Sequence, residues 1–299
     1  MAWQFFIEVL IGGLLAGVMY SLVALGFVLI YKASGVFNFA QGAMVFFAAL
    51  TFVSLVERGV NFWLALVLTL AVMIVLGIAT ERVVLRPLVN QPQITLFMAT
   101  IGLAFVLEGL SQLIWGSQPH GLDLGIPDVP LDWLSRQANI NISQFDLFAA
   151  LIAGGLVAVL AVFFQKTRIG RALRAVADDH QAALAVGIPL QHIWAIVWAV
   201  AGFVALVAGL MWGARNGVQF ALTFLALKAL PVLILGGFES VPGAIVGGLI
   251  IGASEKVAEV YLGPYVGGGL ESWFPYVLAL AFLLVRPEGL FGEKIIQRV

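Results

Sequence analysis

Apolar runs separated by short polar breaks fill almost the whole chain. Runs near positions 5–31, 37–56, 62–81, 93–115, 146–165 and 193–213 each reach the roughly 20 residues that a helix needs to cross a bilayer. A closely spaced pair, 222–237 and 243–262, and a last run at 273–286 complete the set. The turn Gly236-Gly237-Phe238-Glu239-Ser240-Val241-Pro242-Gly243 divides the pair, whose first member is short. The pair either crosses twice or re-enters, and in both cases its two ends emerge on the same side. The expected fold class is an all-α polytopic membrane protein of eight or nine membrane segments, with that pair as the candidate re-entrant element.

Lys and Arg in the short breaks set the orientation, because positive charge stays on the cytoplasmic side. Lys32, Arg82, Arg86, Lys166, Arg168, Arg171, Arg174, Arg286, Lys294 and Arg298 fall on one side under this span assignment. The outer loop, about 116–145, carries Asp123, Asp128 and Asp132 against a single Arg136. The N-terminus is expected outside. Its first apolar run is too long for a cleavable signal and has no preceding positive charge, so it reads as a retained span. The whole chain, 1–299, reads as one transmembrane domain, with the outer loop and an inner loop of about 166–192 as its largest polar pieces.

Composition agrees with a lipid solvent. Of 299 residues 62% are hydrophobic and 10% are charged, with a mean hydropathy of +1.06. A soluble domain carries about a quarter charged residues. The net charge of −1 leaves no basic face for nucleic acid. The absence of Cys removes disulfides, thiolate metal sites and Cys nucleophiles. His120, His180 and His192 all lie outside the long apolar runs, which argues against intramembrane His chemistry.

The inner loop carries a second kind of pattern. From Arg171 to Gly187 the residues Leu173, Val176, Ala177, His180 and Leu184 share one helical stripe, and Gly187 and Pro189 are stop signals. Arg171, Arg174, Asp178 and Asp179 lie off that stripe. The adjacent Asp178 and Asp179 point about 100° apart on a helix, so they read as solvated charges rather than a catalytic pair. Such a helix either docks a partner protein or lies on headgroups or its own bundle.

Gln181-Ala182-Ala183-Leu184-Ala185-Val186-Gly187 is similar to the EAA loop of bacterial importer permeases, with Gln in place of Glu and without the usual Ile-x-Leu-Pro that follows. Four further segments, in order along the chain, resemble branched-chain amino acid ABC-transporter permeases, most of all the smaller of the two permeases in that system. They are Tyr31 to Gly42, Gly170 to Asp179 running into Gly187-Ile188, Leu235 to Ala244, and Arg286-Pro287-Glu288-Gly289-Leu290-Phe291-Gly292.

The resemblance implies a bacterial inner-membrane, multi-pass subunit of an ATP-driven, binding-protein-dependent importer for branched-chain or related amino acids. It also implies a second homologous permease, two cytoplasmic ATPases docked on the EAA-like helices, and an extracytoplasmic substrate-binding protein. Arg171, Arg174, Asp178, Asp179, Gln181, Ala182, Ala183 and Gly187 would form the docking loop. The chain has no Gly-x4-Gly-Lys-Ser/Thr phosphate loop, so no cofactor is expected on it, and ATP would be used by the partners.

Candidates for the translocation pathway are the residues that break apolar runs. Asn38 and Gln41 lie between the first two, with helix capping as the alternative role for Asn38. Gly236 and Gly237 lie in the turn of the paired segments. Glu108 is the lone ionisable residue of its run, with Lys228 as a candidate partner. Glu255, Lys256 and Glu259 read as a solvated helix end or a binding-protein contact. Two other readings stand beside the amino-acid importer. The first is a permease for urea, short amides or small carboxylates. The second is an ion-coupled secondary transporter or channel. An intramembrane enzyme lacks visible catalytic partners.

Overall fold

The computed structural model describes residues 2–88, 91–178 and 180–292. Among them there is no strand, only two isolated bridges, His120 with Val218 and Pro130 with Ser143. Each of the nine apolar runs is a helix. They are α1 (Ala2–Ser34), α2 (Gln41–Glu57), α3 (Phe62–Ala79), α4 (Gln93–Trp115), α6 (Gln144–Lys166), α9 (Leu190–Asn216), α10 (Leu225–Gly236), α11 (Val241–Val266) and α12 (Leu270–Val285). Between them, among the described residues, lie α5 (Asp132–Ala138) and the helical segments on either side of Asp179, α7 (Arg168–Asp178) and α8 (His180–Ala185). Among the described residues six helices are long and apolar enough to cross a membrane, while α2, the α10 segment and α12 are shorter.

The ends of these helices follow local chemistry. The Asn61 side chain accepts the Trp63 N–H at the start of α3. Ser240 does the same for Gly243 N–H at the start of α11, with Pro242 in the first turn, where a missing N–H costs nothing. Beyond Ala79, α3 widens into a π-helical turn (Thr80–Leu85) and then a 3₁₀ turn (Arg86–Leu88). That distortion carries the fully buried Glu81, which takes a two-pronged ion pair from Arg86 at 3.1 and 2.9 Å.

The chain forms two compact units. One takes the chain up to Leu25, Gly125–Ala158 and the chain from Leu227 onward; the other takes Gly26–Leu124 and Val159–Ala226. Lipid offers no hydrophobic drive to bring helices together, so close van der Waals approach at small residues has to do it. In the first unit the row Gly13, Gly17, Ser21 on α1 meets Gly248 and Gly252 on α11. A Cβ on Gly13 would stand 2.7 Å from the Gly252 carbonyl oxygen, and one on Gly17 at 2.5 Å from that of Gly248. Ser21 shares its hydroxyl proton between the Gly17 carbonyl of its own helix and the Ile245 carbonyl across the seam.

The second unit centres on α2 and α9, with α3 and α4 packed outside them. Its seams use the same device. A Cβ on Gly77 would meet the Trp198 carbonyl at 2.6 Å, and one on Gly209 would meet that of Val45 at 2.6 Å. Its outer faces are apolar: Trp63, Val67 and Val75 on α3 and Met98, Phe105 and Leu113 on α4 are all exposed, as a hydrocarbon solvent requires.

Gly13→Val should destabilise the chain by about 1–3 kcal/mol through overpacking at the α1–α11 seam. Gly12→Val, where an added Cβ meets nothing within 4 Å, should leave it unchanged. Apparent melting temperatures in a mild detergent compare the two, and equal values would remove the seam as a determinant of the fold.

Candidate functional site

The break between α1 and α2 is sealed by polar groups in the second unit. Asn38 and Gln41 are both fully buried. Asn38 accepts the Ala40 N–H at 3.1 Å through its side-chain oxygen and donates to the Gln41 side-chain oxygen at 3.2 Å. The Gln41 amide donates to the Ala201 carbonyl at 3.4 Å, and Gly26 leaves the space it occupies. Thr100 on α4 closes the other side, accepting the Phe39 N–H and donating to the Phe37 carbonyl. Phe27, Phe37, Phe39 and Phe97 pack in sequence around the break at centroid distances of 4.7–4.8 Å. Irregular backbone deep in a membrane protein has to be satisfied by protein groups, and here the side chains of Asn38, within the break, and Thr100, on α4, do it. Neither amide has an exposed face.

Gly236 and Gly237 end α10. A Cβ on Gly236 would collide with the Gly243 carbonyl at the start of α11, so glycine is required for the hairpin to close. Gly237 has φ +101°, which favours glycine. The carbonyls that a helix leaves unpaired at its C-terminus are taken up by the segment after α12. Leu290 N–H donates to the Leu235 carbonyl at 2.8 Å, and Phe291 N–H to that of Gly236 at 3.2 Å. Gly289, at φ +80°, lets this segment lie against Gly237. Two of the sequence segments singled out, Leu235–Ala244 and Arg286–Gly292, are thus one structural feature.

Lys228 is paired with Glu255, not with Glu108. Its ammonium donates to Glu255 Oε1 at 3.3 Å and to the Tyr20 hydroxyl at 3.5 Å, and lies 5.8 Å from the centre of the Tyr20 ring. Tyr20 in turn donates to Glu255 Oε1 at 3.1 Å. Tyr20 lies 18 residues from the start of α1 and 14 from its end; Glu255 lies 14 and 11 residues from the ends of α11. At about 1.5 Å per residue both sit well inside their helices. The Glu255 side chain is only 5% exposed and that of Lys228 is 38% exposed. An unpaired charge at the centre of a spanning helix costs about 3 kcal/mol on insertion scales, a cost that the pairing offsets.

The sequence pattern read Glu255 and Glu259 as a solvated helix end or a binding-protein contact, and for Glu255 the solvated reading is corrected. Glu255 is buried in the ion pair just described. Glu259 accepts the N–H groups of Gly269 and Glu271, and so caps the N-terminus of α12, where a carboxylate complements the exposed donors. Tyr20 had no signal in sequence beyond its place in an apolar run. Glu108 is half-buried on α4 and has no hydrogen-bond or ion-pair partner among the described residues.

The inner loop is helical on both sides of Asp179, as α7 and α8. Thr167 starts α7 a turn earlier than the stripe suggested, its hydroxyl accepting the Gly170 N–H at 3.0 Å. Leu173 and Val176 are buried within the chain, so that part of the stripe packs on its own bundle. Arg171 is exposed, and Arg174 donates to the Gln165 carbonyl at 3.3 Å. On α8, Ala183 is buried while Ala182 is exposed, Leu184 is 54% exposed and Val186, just past its end, 75%. Gly187, at φ +83°, ends α8 in a Schellman arrangement: Ile188 N–H bonds the Ala183 carbonyl and Gly187 N–H that of Leu184. Asp179 and the side chains of Asp178, His180 and Gln181 lie outside the described residues.

Comparison with known proteins adds an independent line. The family model described as "branched-chain amino acid transport system / permease component" matches residues 9–286. The high-affinity branched-chain amino acid transport system permease protein LivH of Escherichia coli K12 is 28% identical over 99% of this chain and 98% of its own length. The corresponding BraD protein of Pseudomonas aeruginosa is 27% identical over 98% of both chains. A probable branched-chain amino acid transport permease of Methanocaldococcus jannaschii is 28% identical over 95% of this chain and 92% of its own.

Asn38→Leu removes the acceptor for Ala40 N–H and the donor to Gln41 at a fully buried site. The variant is expected to lose about 1–3 kcal/mol of stability, seen as a lower apparent melting temperature. An unchanged value would show that the amide pair does not hold the break.

Proposed function

This chain belongs to the family of branched-chain amino acid transport system permease components, and on that premise we propose the assembly and the solute it serves. It is a multi-pass membrane permease of the ABC type. We propose that it pairs with a second homologous permease in the bacterial inner membrane, that two cytoplasmic ATPases dock on its inner loop, and that an extracytoplasmic binding protein delivers leucine, isoleucine, valine or a related amino acid. ATP would be hydrolysed on the partners, and the solute would cross by alternating access.

The observation that carries the docking reading is the exposure of Leu184 and Val186 at the EAA-like segment. Two large apolar side chains stand out at the end of a helix that is fixed by a glycine turn, beside a buried Ala183 that anchors it. Such side chains gain free energy when a partner covers them. In the α10–α11 pair, α10 together with its preceding 3₁₀ turn (Phe220–Phe224) spans about 28 Å at the usual rises per residue. The turn it reaches is held by the residues that follow α12. Both points support nine crossings, with the Gly236–Gly237 turn on the same side as the tail after Arg286. That side is the cytoplasm in the proposed orientation, and 116–145 lies outside. The full burial of Asn38 and Gln41 supports a role in the wall behind the pathway rather than in it.

Leu184→Glu and Val186→Glu alter side chains that the chain itself leaves uncovered. Each variant should insert at normal levels, lose the ATPases on gentle purification from native membranes, and abolish uptake. Ala183→Glu and Gly187→Asp should also abolish transport, through the helix itself. Mass spectrometry of the co-purified proteins reads the first effect and ATP-driven uptake into vesicles the second. Normal uptake by both exposed-site variants would sink the docking role.

A further inference from the structure

We propose that Lys228 is a contact point for the carboxylate of the transported solute, held in place by Glu255 and Tyr20. The inference rests on the reading that this permease carries amino acids. An ammonium has three N–H donors. Two of those on Lys228 go to Glu255 and Tyr20, and the third has no acceptor among the described residues. The two partners differ from Lys228 in burial. Glu255 and Tyr20 are each 4% exposed, while 38% of the Lys228 side chain reaches the surface of the chain.

The arrangement fixes a cation without saturating it. A lone lysine on a flexible stem would wander, and one enclosed by acceptors would have nothing left to offer. Here a buried carboxylate and a phenol, themselves bonded to each other at 3.1 Å, hold the ammonium from one side and leave the other open. Hydrocarbon cannot satisfy the remaining N–H. The group therefore faces water or an anion, as intramembrane ionisable residues do when they line a solute route. Its place on α10, beside residues well inside α1 and α11, is the depth at which transporters hold their cargo.

The chemistry also suits passage. Lys228 and Glu255 together carry no net charge, so an arriving carboxylate meets one strong donor without an excess positive field to trap it. A site in a conduction route has to bind well enough to admit and weakly enough to release. A carboxylate is common to all amino acids, so the contact is indifferent to the side chain and leaves that choice to the delivering protein.

The sequence contains no Cys, which makes the test direct. In the assembled transporter with its ATPases and binding protein, Lys228→Cys should lower the maximal rate of ATP-driven radiolabelled leucine uptake about tenfold or more, the size expected for one hydrogen bond to a charged group. Treatment with aminoethyl methanethiosulfonate, which restores an ammonium at that position, should recover uptake; the neutral methyl and the sulfonate reagents should not. Uptake that is undiminished in Lys228→Cys, or a residue 228 thiol that water-borne reagents cannot reach in the assembly, overturns the proposal.

Lys228→Met combined with Glu255→Gln guards against loss of folding, since it removes both charges together. Uptake that stays low in a double variant that still co-purifies with its ATPases supports the solute contact. Uptake restored to the wild-type rate shows that the pair is only a structural link and overturns it. A wild-type assembly that moves no leucine on ATP fails the amino-acid reading itself, an outcome seen before any variant is made.

Discussion

Backbone-to-backbone approach at glycine is the contact on which this molecule is built. In water, burial of apolar surface would draw helices together, but hydrocarbon is as apolar as the side chains. What remains is close packing, and close packing between helices needs residues that take no room. The α1–α11 seam at Gly13, Gly17, Gly248 and Gly252, and the contacts of Gly77 and Gly209 in the second unit, all bring a carbonyl of one helix close against the backbone of another. A side chain at any of these positions would push the two helices apart.

Polar groups are placed by the same constraint. Once the helices lie close, every donor and acceptor that is not in a helix ladder needs a protein partner. The break between α1 and α2 takes Asn38, Gln41 and Thr100 for this purpose. The end of α10 takes two backbone N–H groups from a segment some 55 residues further along. The buried Glu81 takes Arg86, and Glu255 takes Lys228 and Tyr20. Each group is satisfied from within its own unit.

Helices were legible in the sequence because a spanning helix must be apolar along its whole length, and nine such runs stood out from their polar breaks. The partners of the charges were not legible. Glu255 and Glu259 are four residues apart on one helix, and their sequence surroundings look alike. One pairs with a lysine on another helix, and the other caps the start of α12. Only the fold brings Tyr20 within 3.1 Å of Glu255. Periodicity failed in a different way on α7. The stripe through Leu173 and Val176 was correct as an apolar face, but the pattern alone does not state whether a face meets a partner or its own bundle. It meets its own bundle, and the uncovered apolar residues are Leu184 and Val186, further along.

The seam between α1 and α11 joins parts of the chain that are far apart in sequence; Tyr20 and Glu255 are 235 residues apart. At a synthesis rate of roughly 5–20 residues per second, α1 is in the membrane for on the order of tens of seconds before α11 exists. Throughout that interval its row of Gly13, Gly17 and Ser21 lacks the α11 glycines that it packs against in the folded chain. The order of birth of the helices thus leaves this face of α1 without its seam until α11 arrives.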